Sequence, residues 1–167
     1  IDYTGAINNS LNTEGNVANI GGGNDSDTVL LLHCNGEDGS TTITDSSSGG
    51  AGSPHTVTAV GSAQIDTGSS KFGSASCILN GTTDYLTIPD SADWFMGTGK
   101  FAIDLWIKIN AQSTYNPIFE QYVDADNFVS LYMTSGGASG PDTWYFTIRS
   151  GASDKLTLVK LSSPIAE

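Results

Sequence analysis

Basic residues are scarce in this chain. Lys and Arg number 6 against 18 Asp and Glu, giving a formal net charge of -12. A surface so acidic repels phosphate backbones, which excludes a nucleic-acid partner. No apolar run approaches the roughly 20 residues that a membrane-spanning helix needs. The chain opens at Ile1, without an initiator Met, a basic leader or an apolar leader, so it is expected to be a fragment, a processed chain or part of something longer. Its two cysteines, Cys34 and Cys77, are too few for a disulfide framework or a zinc site. Both stand in apolar, strand-like surroundings, which leaves one disulfide and two buried thiols as open alternatives. Enzyme signals are also missing. There is no Gly-x-Ser-x-Gly elbow, 97–100 (GTGK) is an incomplete phosphate loop that reads as a turn, and His33 and His55 lack metal-ligand spacing.

Glycine is plentiful, at 20 of 167 residues, and Ser, Thr and Asn fill many of the intervals between apolar segments. The length suits one domain with a sizeable core. Residues 1–26 keep neither a helical nor a strand period and read as an Asn/Gly-rich arm or linker; the alternative is an arm ordered by packing on a neighbouring subunit. The domain is expected over 27–167. Within it, short apolar or alternating runs at 28–34, 55–60, 63–66, 76–79, 84–88, 101–109, 118–123, 128–134, 143–149 and 156–161 are separated by turn residues. No long amphipathic helix intervenes, so the fold class is all-β, a two-sheet antiparallel β-sandwich. The runs at 76–79 and 84–88 read as a hairpin about Asn80-Gly81, and those from 118 onward as an antiparallel meander.

The cleanest alternation is 101–109. Phe101, Ile103, Leu105, Ile107 and Ile109 are expected on a buried face, with Asp104, Trp106 and Lys108 on the other. By the same rule Val129, Leu131 and Met133 point inward with Trp144, Phe146 and Ile148. Phe128, Ser130, Tyr132, Tyr145, Thr147 and Arg149 then point outward, together with Glu120 and Tyr122. The outer face gathers Asp104, Trp106, Glu120, Tyr122, Tyr132, Tyr145 and Arg149. Rings that stack on sugar faces, beside charged groups that bond hydroxyls, are what carbohydrate recognition requires. The competing reading is cross-strand packing or a subunit interface.

Three stretches carry a family resemblance: 28–45 (TVLLLHCNGEDGSTTITD), 71–89 (KFGSASCILNGTTDYLTIP) and 98–109 (TGKFAIDLWIKI). Over about 27–167 the chain resembles concanavalin A-like, laminin-G-type jelly-roll domains, of the kind found in large extracellular bacterial proteins and in structural proteins of tailed phages. The resemblance implies two antiparallel sheets with a concave face, continuing past Glu167, so the domain is expected to be C-terminally incomplete. Asn35 and Asn80 stand where similar sequences often carry Asp, which weakens any inherited calcium site. Glycosidases of this fold use a Glu-x-Asp-x-Glu strand motif, and none exists among Glu14, Glu37, Glu120 and Glu167. Calcium is the one cofactor to consider, with Asp124, Asp126 and Asn127 as candidate ligands, set against the ordinary role of Asp in stabilising turns.

The resulting expectation is a non-catalytic carbohydrate-binding or adhesive module of an exterior protein, part of a phage virion as a tail fibre or capsid decoration. The alternative is a purely structural subunit of a virion or extracellular filament, and a glycoside hydrolase ranks third. Partners are cell-surface carbohydrate or neighbouring subunits, homo-oligomers included, and the location is the virion or cell exterior.

Overall fold

The computed structural model describes residues 10–11, 17–18, 24–97, 99–111, 113–136 and 142–161. Among them there is no α-helix, every strand pairing is antiparallel, and the chain is all-β as expected. It divides into two compact units, Ile1–Asp104 and Leu105–Glu167.

In the first unit β1 (Ser10–Leu11) pairs with β2 (Val17–Ala18); the rest of the expected arm over 1–23 lies outside the described residues. Four three-residue strands follow: β3 (Thr58–Val60), β4 (Gln64–Asp66), β5 (Ser76–Ile78) and β6 (Tyr85–Thr87). The expected hairpin between the last two does not form. β5 pairs with β4, and β6 pairs with β3. The reason lies in the connecting loop, which winds around a side chain instead of closing a two-residue turn. Asn80 Oδ1 accepts from the amides of Thr82, Thr83 and Asp84, while the Asn80 amide donates to Asp84 Oδ2. The expected strand over 28–34 shrinks to a single bridge, Leu32 to Asp45, and stops at Cys34, whose φ of 53° leaves the extended region.

The core of this unit is small. Ile65 is wholly buried and packs with Ile43 and Ala75, against Leu32, Val57, Ala59, Leu86 and the two cysteines. Cys34 and Cys77 form a disulfide across 43 residues, which decides between the two alternatives. Polar side chains organise much of the remainder. The buried Asp45 carboxylate accepts from the amides of Leu31, Ser47 and His55 and from the Ser47 hydroxyl. Asp93, on the 3-10 turn Ala92–Trp94, accepts from the amides of Ala51 and Gly52, with His55 Nε2 3.1 Å from its Oδ2. Gly50 makes that approach possible: it has a φ of +80°, and a Cβ there would lie 2.6 Å from Asp93 Cγ.

Residues 101–109 contradict the strongest sequence pattern. They belong to no strand, and Phe101, Ile103, Leu105 and Ile107 remain between 37 and 45% exposed. Alternation makes a segment fit for a sheet, but a strand exists only where a neighbouring strand takes its amides and carbonyls. This segment has no such ladder and straddles the division between the units.

The second unit is the expected meander. β7 (Tyr115–Asp124), β8 (Asn127–Thr134), β9 (Thr143–Ser150) and β10 (Ser153–Leu161) form one sheet in the order β10-β9-β8-β7. The β9–β10 turn has Gly151 and Ala152 both at positive φ, 59° and 60°, the backbone twist that suits a tight hairpin. Val129, Leu131 and Met133 pair with Ile148, Phe146 and Trp144, so the expected inward set does share one face. Met133 is fully buried there.

Candidate functional site

The opposite face of this sheet brings together most of the residues singled out as a binding surface. Directly opposed residues of antiparallel strands share a face, and three rows follow from the register. Tyr122, Phe128, Arg149 and Asp154 form one; Glu120, Ser130, Thr147 and Thr157 form the next; Pro117, Tyr132, Tyr145 and Val159 form the third. A cleft of about 380 Å³ lies over these rows, lined by Tyr115, Glu120, Phe128, Ser130, Tyr132, Tyr145, Thr147, Arg149, Asp154 and Thr157.

Three tyrosines make one wall. The Tyr132 and Tyr145 rings stack at 4.8 Å with planes 9° apart, and Tyr115 lies against Tyr132 at 4.9 Å and 44°. Tyr132 is thus held between two rings, and Tyr115, about half exposed, is the ring at the end of the ladder with most open surface. Partial burial, then the neighbouring phenols of Tyr145 and Tyr115 and the Asp154 carboxylate, raise the Tyr132 hydroxyl above the ordinary tyrosine value, which keeps it a neutral donor and acceptor. Arg149 reaches away from this wall: Nη1 lies 3.5 Å from Asp154 Oδ1, and Nη2 donates to the Ala152 carbonyl and lies 3.9 Å from Asp126 Oδ1. Ser130 and Thr147, opposed at the centre of the face, are buried beside these longer neighbours, so an alternating pattern does not here mean an exposed row.

Of the residues named from sequence, Glu120, Tyr132, Tyr145 and Arg149 line the cleft. Tyr122 extends the first row and packs on Phe128 at 6.3 Å. Trp106 is exposed and is not among the lining residues, and Asp104 is exposed in the first unit. Tyr115 and Asp154 lie outside the expected strands 118–123 and 156–161, and simple alternation from Glu120 or Thr157 would turn them to the other face. The register shifts between Pro117 and Phe119, so odd-numbered Tyr115 joins even-numbered Glu120 on one face; a second shift between Asp154 and Leu156 does the same for Asp154 and Thr157. Pro117 was the available signal, because a proline inside a strand marks an edge or a bulge.

The candidate calcium ligands sit in the β7–β8 turn. Asp124 Oδ1 accepts from the Asp126 amide and from Asn127 Nδ2, and these two bonds hold its carboxyl below the ordinary aspartate range. Asn127 Oδ1 accepts from the Gly151 amide, tying this turn to the β9–β10 turn. Among the described residues no group of three or more His, Cys, Asp or Glu is placed to hold a metal. An ion at Asp124 has to compete with both donors. Calorimetric titration with Ca²⁺ is therefore expected to give neither heat nor a shift in melting temperature; a saturable heat would make this turn a metal site. Asn80 likewise serves its own loop, and Asn35 Oδ1 accepts from the Ser74 amide, tying two distant segments together.

Comparison with family models, curated proteins and solved structures finds no match to this chain. No helix among the described residues is long and apolar enough to cross a membrane.

Proposed function

We propose that the chain is a non-catalytic carbohydrate-binding or adhesive module, built as a laminin-G-like β-sandwich and carried by an exterior protein such as a phage tail fibre or capsid decoration. The observation that carries this reading is the cleft on the polar face of the β7–β10 sheet, with a tyrosine ladder on one side and Glu120, Arg149 and Asp154 around it. Tyr115 offers a ring to the apolar face of a sugar, and the charged groups and the hydroxyls of Thr147 and Thr157 offer in-plane hydrogen bonds. The Cys34–Cys77 disulfide supports an oxidising location, outside the cytosol. Two carboxyls line the cleft, but Glu120 is on β7 and Asp154 on β10, three strand spacings apart. That places their backbones about 14 Å from one another. Glycosidases of the resembled fold take both carboxyls from one strand, an arrangement these two residues do not share.

A glycan array probed with the 167-residue chain is expected to show saturable binding. Tyr115→Ala should weaken it about 3- to 10-fold, the value of one lost aromatic stack, without changing the far-UV circular dichroism. A blank array would end this reading.

One observation favours a structural subunit instead. Among the described residues β7 and β10 each pair on one side only, as the edges of the four-stranded sheet, and β10 exposes Leu156, Leu158 and Val159. Exposed edges of this kind pair with other chains. A concentration-dependent oligomer in analytical ultracentrifugation, together with a blank array, is the outcome that selects this alternative.

A further inference from the structure

Glu120 is exposed on β7, and among the described residues no hydrogen bond or ion pair engages its carboxylate. Its neighbours across the sheet are aromatic. Directly opposite on β8 is Ser130, small and buried, and two places to either side of that serine are Phe128 and Tyr132. Diagonal neighbours on one face are about 7–8 Å apart at their bases, within reach of long and aromatic side chains. The carboxylate therefore stands between two rings. Each is backed by others: Tyr122 stacks on Phe128 at 6.3 Å, and Tyr132 lies between Tyr145 at 4.8 Å and Tyr115 at 4.9 Å. Tyr122 and Tyr115 are 58% and 48% exposed, so ring surface is open on both sides.

An aromatic ring presents the negative part of its quadrupole at its face, so rings about a carboxylate favour a cation. The one cation among the lining residues does not fill that place. Arg149 is on β9, two strand spacings or about 10 Å from β7, and its guanidinium turns to Asp154, Asp126 and the Ala152 carbonyl. With a net charge of -12, the chain also draws cations to its surface. We propose that Glu120, flanked by Tyr132 and Phe128, binds the ammonium group of an amino sugar whose ring lies against Tyr115. This rests on the carbohydrate reading above and adds to it the class of sugar, one with a free, protonated amine. Acetylation turns the ammonium into a neutral amide and removes the ion pair and the cation–π contact together. A uronic acid brings a like charge against Glu120.

The test titrates the 167-residue chain with three linear oligosaccharides of equal length, in mildly acidic buffer that keeps the sugar amine protonated. They are a glucosamine oligomer, its fully N-acetylated form and a uronic acid oligomer. The glucosamine oligomer is expected to bind about 3- to 30-fold more tightly than the acetylated one, the worth of one exposed ion pair and one cation–π contact. The uronic acid oligomer should bind most weakly. Glu120→Gln should bring the glucosamine affinity down to that of the acetylated oligomer and leave the latter unchanged. Glu37→Gln removes one charge from the first unit, at an exposed residue that does not line the cleft, and should change neither. Equal or tighter binding of the acetylated oligomer would overturn the assignment and leave the carbohydrate reading standing. Equal losses in the two glutamine variants would show attraction by overall charge and would overturn it as well. Binding of none of the three would also overturn it, and together with a blank array would remove the carbohydrate reading itself.

Discussion

Replacing Cys34 and Cys77 together by serine is expected to destabilise the first unit by about 4 kcal/mol, the chain-entropy value for a cross-link spanning 43 residues. This unit has little else of comparable strength. Among the described residues its buried apolar side chains are Ile43, Ala63, Ile65 and Ala75, of which only the two isoleucines are large. Its strands β3 to β6 are three residues each, too short to be stable as separate pairs. Folded units of this size hold only about 5–15 kcal/mol in total, so a loss of about 4 kcal/mol removes a large part of it. Hydrogen exchange on oxidised and serine-substituted protein would localise the effect. Protection should fall at Ile65, Cys77 and their neighbours and persist in β8 and β9, whose ladder contains neither cysteine. An unchanged denaturation midpoint would mean that the isoleucine core holds the unit unaided.

What could be read from sequence divides by the range of the interaction that decides it. The β7–β10 meander was legible because each strand pairs with its neighbour in sequence, so pattern and turn chemistry suffice. Glu120, Tyr132, Tyr145 and Arg149 were placed on one face for that reason. The first unit was not legible, because its pairings are set by side-chain bonds to the backbone and not by the strand pattern. Asn80 winds the loop that separates β5 from β6, and Asp45 gathers amides from both sides of itself. Neither residue announces that role, since Asn and Asp in a Gly/Ser-rich stretch read simply as turn formers. The segment 101–109 is the inverse case. Its periodicity was the clearest in the chain, yet periodicity records only what a segment can bury and is silent on whether a partner strand is present. The residues of the cleft face were grouped in outline, while Tyr115 and Asp154 lay outside the expected strands, beyond register shifts that reverse the alternation.

Asp45→Ala is expected to rival loss of the disulfide, at about 3–6 kcal/mol. It strips the acceptor from three backbone amides, those of Leu31, Ser47 and His55, and an unsatisfied buried donor costs about 1–3 kcal/mol. Asp45→Asn should cost less, about 2 kcal/mol. Its remaining oxygen can take the place of Oδ1 and keep the Leu31 and Ser47 amides, and the Ser47 hydroxyl can turn to accept from the new amide; only the His55 amide then meets a donor in place of an acceptor. The same bonds fix a pH dependence. Burial alone would raise the Asp45 carboxyl, but the amides of His55, Leu31 and Ser47 and the Ser47 hydroxyl outweigh it and hold the folded pKa below the ordinary value. A depressed folded pKa contributes stability that is fully present above the unfolded value, near pH 4, and is lost as pH falls through the folded one. Denaturation midpoints of the parent chain should therefore decline below about pH 4, and those of Asp45→Asn should decline less steeply, because residue 45 no longer titrates. Parallel acid profiles for the two proteins would show that other carboxylates, Asp93 with its Ala51 and Gly52 amides foremost, carry the acid sensitivity of this unit.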